Sequence, residues 1–311
     1  MTHIRNLTDA QLERPSVVTI GVFDGVHRGH QQLLKRLSDK AREAGWLAVA
    51  LTFFPHPDIV LRGQVGRYYL SSPEERAELL MKHGIDHVIT HPFNEQVRQI
   101  RAADFVDMLL NHLQMRTLWV GANFAMGYKR EGNLDFLRTQ GEQKGFTVEV
   151  VDMMRTENPG EVISSTAIRE RLYAGDVETA HRWLGRPYPV SGEVVHGEKR
   201  GRKIGFPTAN VSVWEGRIIP ANGVYAGWAW LDNRRYMAVT NVGVRPTFAG
   251  DNVTVEVHLL DFQQDIYGQN LRFEFLKRLR PEKKFDGIES LIAQINADVE
   301  AGRAYLTSLN G

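Results

Sequence analysis

Hydrophobic positions change their period part-way along the chain. Ser16–Phe23 (SVVTIGVF) is a β-branched run ending at a glycine-rich turn. His30–Ala44 then takes helical spacing, with Leu33, Leu34 and Leu37 on one side. The alternation continues with strands at Leu47–Phe53, His87–Thr90, Thr117–Val120 and Thr147–Val151. Between them the spacing predicts helices at Pro73–Gly84, Ala102–Leu113 and Asn133–Gly145. Strands alternating with helices predict an α/β, Rossmann-like domain, a parallel sheet covered on both faces. Two short helices, Thr166–Ala174 and Val177–Leu184, are expected to close this half.

After Leu184 the pattern becomes short strands separated by Gly, Pro and Asn turns, running from Val190 to about Leu279. Val253, Val255, Val257 and Leu259 point one way; Thr254, Glu256 and His258 point the other. A small all-β barrel follows, with a terminal helix from Ile288 to Leu306 whose apolar stripe (288, 291, 292, 295, 299) is expected to lie on it. The expected boundary is near residue 186, giving domains 1–186 and 187–311. Length agrees: 311 residues fit two domains of roughly 100–200 residues each.

Composition narrows the chemistry. With no cysteine, disulfides, thiolate-zinc sites and a cysteine nucleophile are excluded. Lys and Arg number 38 against 37 acidic residues, so bulk charge offers no reason to expect nucleic acid or membrane as partner. No apolar stretch nears the roughly 20 residues of a membrane helix, and no signal peptide is visible. A cytoplasmic protein acting on small molecules is the expectation; the sequence leaves homo-oligomerisation open.

The first chemical constellation is Gly21-Val-Phe23-Asp24-Gly25-Val-His27-Arg-Gly29-His30, between a strand and a helix. Ligands of open α/β sheets bind at such carboxyl strand ends. Its glycines leave the backbone bare, and a helix N-terminus attracts anions through free N–H groups. Two imidazoles beside those donors suit a phosphate chain that gains charge during a displacement. The bland alternative is a glycine turn with two surface histidines. No Walker loop is present: Gly127–Gly132 is followed by Asn-Leu.

This segment resembles the nucleotide-binding segment of the HxGH adenylyltransferases, in the form found in prokaryotic FAD synthetases. Ser164-Ser165-Thr166-Ala-Ile-Arg169 resembles that family's SSTxxR motif, which holds ATP phosphates; on its own it reads as a helix cap. Phe53-Phe54-Pro55-His56-Pro57 resembles its aromatic PHP loop, and Gly121-Ala-Asn123-Phe124-Ala-Met-Gly127 a second conserved turn. By that resemblance both contact FMN or the nucleotide; otherwise they are a stiffened loop and a turn. One departure stands out. Several relatives carry a basic residue where this chain has Glu161-Val162.

The second constellation is Gly197-Glu-Lys-Arg200-Gly-Arg202-Lys203-Ile-Gly205-Phe-Pro207-Thr208-Ala-Asn210. Its cations on a glycine-flexible loop suit polyphosphate, and Thr208 and Asn210 offer hard oxygen ligands of the kind Mg²⁺ takes. The bland alternative is a basic hairpin loop. GFPTAN resembles the riboflavin kinase signature, and the likeness continues through Gly223-Val-Tyr225, Asn241–Thr247, Glu256-Val-His258, Asp265–Gly268 and Arg280–Phe285. The resemblance implies Glu256 as the general base.

Together these imply a bifunctional riboflavin kinase/FMN adenylyltransferase. Its substrates would be ATP, riboflavin and FMN, with Mg²⁺ at Thr208 and Asn210. Three alternatives are a flavin kinase with a decayed N-terminal half, a non-catalytic flavin-binding regulator, and an aminoacyl-tRNA synthetase fragment. The last lacks a lysine-rich second motif.

Overall fold

The computed structural model describes residues 1–151, 162–197, 200–247 and 250–309. A short strand, β1 (Thr2–Ile4), precedes β2 (Ser16–Ile20), whose five residues are all buried, as expected for a strand covered on both faces. Helix α1 (Arg28–Ala44) starts at His27, whose side chain caps it, and stops at Gly45 in the left-handed region. Then come β3 (Leu47–Phe54), the short α2 (Pro57–Arg62), and α3 (Pro73–Lys82) with a Ser72/Glu75 capping box. Strand β4 (His87–Pro92), α4 (Glu95–Arg98), α5 (Ala102–Leu113), β5 (Met115–Gly121), α6 (Leu134–Lys144) and β6 (Thr147–Val151) complete the alternation.

All neighbouring strands pair in parallel, in the order β1-β4-β3-β2-β5-β6. Val18, Ile20, Val49 and Leu51 pack with α5 and α6 residues such as Leu109 and Leu137. Val17, Ala48 and Ala50 pack with Leu34 and Leu37 of α1 and Leu80 of α3. The expected two-faced α/β sheet is therefore present. From β2 the chain winds through β3 to β4 on one side; β5 and β6 lie on the other. The order reverses between β2 and β5, which makes their carboxyl ends the switch-point crevice.

Packing divides the chain after Ser165. The second unit begins with the bulk of α7 (Ser165–Tyr173) and with α8 (Val177–Leu184), which packs on barrel strands. Next are β7 (Tyr188–Val195), α9 (Arg200–Lys203), β8 (Ala209–Val213), β9 (Gly223–Leu231), β10 (Arg234–Thr247), β11 (Gly250–Leu259), β12 (Asn270–Pro281) and α10 (Ile288–Ser308). The six strands close into a barrel, β10-β11-β8-β7-β12-β9. Phe275 sits opposite Tyr188 on one side and Gly227 on the other. Gly227 is required there: a Cβ would meet Glu274 O at 2.0 Å and Phe273 Cζ at 2.6 Å. Phe273 and Phe275 meet edge to face at 4.9 Å, and each such buried aromatic contributes roughly 1.5–3 kcal/mol.

Helix α10 covers the outer face of β9 and β10, with Leu306 buried against Ala226 and Trp228. Its apolar stripe behaves differently from expectation at one end. Ile288 is 61% exposed, while Leu291, Ile295 and Val299 line a cavity instead of being sealed on the strands. The helix approaches the strands closely at Gly302, where a Cβ would meet Val239 Cγ2 at 2.7 Å.

Candidate active sites

In the first unit, the ends of β3, β2 and β5 lie side by side, and each carries one of the segments singled out in the sequence. The turn after β2 is strained. Phe23, Gly25 and Val26 have φ of 51°, 77° and 41°, and Val26 is fully buried. A β-branched residue there is held by its surroundings. Asp24, also buried, supplies part of the hold. Its carboxylate accepts from Leu70 N, Ser71 N and Ser71 Oγ at 3.0–3.2 Å. Asp24 O accepts from Ser165 Oγ at 2.8 Å, so the SST segment starts against the HxGH turn. Asp24 thus builds the turn.

His27 and His30 are brought together more closely than the sequence required. Their rings stack with centroids 3.6 Å apart. His27 Nδ1 accepts from His30 N at 3.4 Å, which leaves the ring proton on Nε2. His30 is held well below the ordinary histidine range by burial first, then by the charges of His27 and Arg76. It is neutral at pH 7, with a buried Nδ1 that has no hydrogen-bond partner. Gly21 leaves room for the Phe23 ring, 3.0 Å from where a Cβ would stand. Gly29 falls in the first turn of α1.

The PHP loop sits at the end of β3. Phe54 packs near Tyr69, rings 5.5 Å apart. His56 N donates to Tyr69 Oη at 2.9 Å, and His56 caps α2, with Pro57 opening it. Beyond β5, Asn123 is exposed and its carbonyl accepts from Arg130; Phe124 packs against the core. Thr166 and Arg169 lie on α7, Arg169 buried. Val162 is exposed; Glu161 lies outside the described residues.

In the barrel, Glu256 projects from the face opposite the Val255 and Val257 core, into a cavity of about 310 Å³. Strand register places Asn210 opposite Glu256 on one side and Asn241 on the other, so three polar side chains form one row. Thr208 Oγ1 lies 3.5 Å from Glu256 Oε2. Gly197 permits this row: a Cβ there would be 2.4 Å from Asn210 Nδ2. Thr208 also borders a second cavity of about 230 Å³, with Arg202 and Pro207. Gly205 has a φ of 90°, which only glycine adopts freely. The side chains of Arg200 and Lys203 lie outside the described set. His258 lines the same cavity as Glu256, with its Nδ1 2.8 Å from Pro207 O.

The two halves match separate families. The FAD synthetase model matches residues 9–167, and the riboflavin kinase model matches residues 184–306. A bifunctional riboflavin kinase/FMN adenylyltransferase of Pseudomonas fluorescens is 41% identical over 98% of this chain and 97% of its own length. The chain belongs to the bifunctional riboflavin kinase/FMN adenylyltransferase family. The Escherichia coli K12 relative of the same description is 36% identical, across 97% of this chain and 96% of its own. A crystal structure described as a macrolide-efflux protein from Streptococcus pneumoniae matches with TM-score 0.88 and 32% identity, covering 97% of this chain and 98% of that one. Among the described residues of this family member, no helix is long and apolar enough to cross a membrane.

Two residues that the structure joins to these segments had no role assigned from the sequence. Arg76 was one residue of a predicted helix, and Asn241 part of a matching strand. Neither gave a local signal, because each reaches its site through strand pairing or helix packing.

Proposed function

We propose that this protein makes FAD in two ATP-dependent steps. The barrel phosphorylates riboflavin to FMN, and the N-terminal α/β half adenylylates FMN to FAD. What carries the reading is the union of an FAD synthetase half and a riboflavin kinase half in one chain, matched along nearly its whole length. That union also disfavours a decayed N-terminal half.

In the first step the riboflavin 5′-hydroxyl attacks the γ-phosphorus of ATP, and ADP leaves. Glu256 accepts the hydroxyl proton. The 310 Å³ cavity, walled by Phe206, Val224, Val239 and the α10 stripe, suits the flavin. The second cavity, bordered by Arg202 and Pro207, suits the nucleotide, with Gly197, Arg200, Lys203 and Gly205 of the basic loop over its phosphates. Mg²⁺ fits beside Thr208 and Asn210. The Thr208 hydroxyl lies 3.5 Å from the Glu256 carboxylate there, with Asn210 opposite Glu256 in the strand register. When bound, Mg²⁺ would neutralise phosphate charge.

In the second step an FMN phosphate oxygen attacks the α-phosphorus of ATP. The bond from that phosphorus to the bridging oxygen breaks, and pyrophosphate leaves. FMN supplies the nucleophile. His27 and His30 donate to oxygens that gain charge, with Gly21, Phe23, Asp24, Gly25 and Gly29 shaping the turn. Ser164, Ser165, Thr166 and Arg169 hold phosphate oxygens by family resemblance. Phe54, Pro55, His56 and Pro57 receive the flavin, with Asn123 and Phe124. We place the functional boundary near residue 186 and the protein in the cytoplasm, without nucleic-acid partners. The native mass would tell monomer from homo-oligomer.

The test is an endpoint assay with riboflavin, ATP and Mg²⁺, separating flavins by chromatography. FAD is the expected product. Accumulation of FMN alone would remove the second activity; recovery of riboflavin unchanged by folded protein would remove both.

A further inference from the structure

Several of the bonds that hold the strained HxGH turn come from one segment, Leu70–Arg76. Leu70 and Ser71 occupy the Asp24 carboxylate, and Gly25 N donates to Ser71 Oγ at 3.0 Å. Arg76, on α3, is fully buried. Its Nη1 donates to Val22 O at 2.9 Å, Thr52 Oγ1 at 3.0 Å and Phe53 O at 3.2 Å. Thr52 Oγ1 in turn donates to Val22 O at 2.8 Å. One guanidinium therefore joins the backbone that enters the HxGH turn to the backbone that enters the PHP loop.

A buried cation is costly to desolvate, and an apolar side chain of the same length would fill the space at lower cost. Two features make sense of keeping it. Its Nη1 alone reaches the ends of two strands, and the guanidinium keeps its charge at any working pH. Its charge also lies close enough to His30 to help hold that imidazole neutral, beneath a site suited to a polyphosphate.

We infer that Arg76 is a positioning residue for adenylyl transfer, holding the nucleotide turn and the flavin loop in fixed relation and giving the anion site a buried positive charge. It acts through Val22, Thr52 and Phe53. The inference rests on the adenylyltransferase reading of the N-terminal half.

The experiment compares the full chain with Arg76→Met and Arg76→Lys. FAD formation from FMN and FMN formation from riboflavin are assayed separately, with kcat and KM for ATP in each. Misplacing reacting groups by about 1 Å costs about 100-fold, so Met should lower kcat for FAD formation by about that factor and raise KM for ATP. Riboflavin phosphorylation is the internal control and should stay within about twofold, while Lys should recover about tenfold of the loss by restoring charge. Ser71→Ala, which buries no unpaired charge, serves if Met prevents folding; it should lower kcat for FAD formation about tenfold. Met or Ala variants that keep wild-type kcat and KM overturn the inference. So does a Lys variant no better than Met, or a parallel loss of both activities with KM unchanged. If the unaltered protein makes no FAD from FMN, the underlying reading falls first and this inference with it.

Discussion

The imidazole of His27 lies almost flat on that of His30, with planes 19° apart. Phe23 meets His30 edge-on at 5.1 Å, so the stack is braced from the strained turn. Like charges at this spacing repel, which agrees with the lowered pKa of His30. Burial, first of all, keeps His30 neutral within this stack.

Removing one of them isolates the second reaction. His30→Ala should lower FAD formation by about 10²–10³-fold, the range for losing one donor to developing charge. FMN formation should be unchanged. Chromatography of a riboflavin, ATP and Mg²⁺ incubation should then end at FMN, whereas FAD at the wild-type rate would remove the histidines from the mechanism.

The opposite separation comes from the barrel. Glu256→Gln keeps the size and row position of the side chain but cannot accept the hydroxyl proton. FMN formation should fall by about 10²–10⁴-fold, and FAD formation from supplied FMN should persist. Equal loss of both activities would contradict separate sites.

Acid should weaken the first unit through buried histidines. His91 Nδ1 accepts from Leu7 N at 3.3 Å, and burial lowers its pKa, as it does for His30. The unfolded chain then binds protons that the folded chain refuses. Stability is complete above the unfolded value near 6.5 and falls as pH drops through that value toward the lowered folded ones. Each unit of depression is worth about 1.4 kcal/mol at full effect. The urea midpoint should drop between pH 7 and pH 5, and His91→Gln should flatten that slope. A midpoint that stays constant in the unaltered protein would contradict the assignment.

Helix α10 is pinned to the barrel by an ion pair between the half-buried Arg280 and the buried Asp298. Arg280 Nε and Nη2 donate to Asp298 at 2.8–3.0 Å, and Gln294 Nε2 adds a third group at 3.0 Å. Asp298→Ala would leave the half-buried Arg280 with Pro281 O but without this carboxylate, at a cost of about 1–3 kcal/mol. Because Arg280 and Asp298 also border the larger cavity, KM for riboflavin should rise while FMN adenylylation is unchanged. Thermal unfolding and the two assays together check this.

The sequence by itself determined the fold class and the α/β-then-barrel order, and it singled out the segments proposed to carry chemistry. It could do so because hydrophobic period, glycine turns and capping residues act over a few positions: SVVTI is a buried strand running into a glycine turn, and GFPTAN a loop entering another strand. Which segments face each other was decided only by tertiary structure. Asn210, Glu256 and Asn241 form a row because β8, β11 and β10 are neighbours in a particular register, and a one-residue slip would turn each side chain to the other face. Arg76 reaches Val22 and Phe53 because α3 packs below two adjacent strand ends. The α10 stripe lines a cavity because Gly302 and the Arg280–Asp298 pair set how closely the helix approaches the strands. Such relations join residues far apart in the chain, and only the packed core brings them within bonding distance.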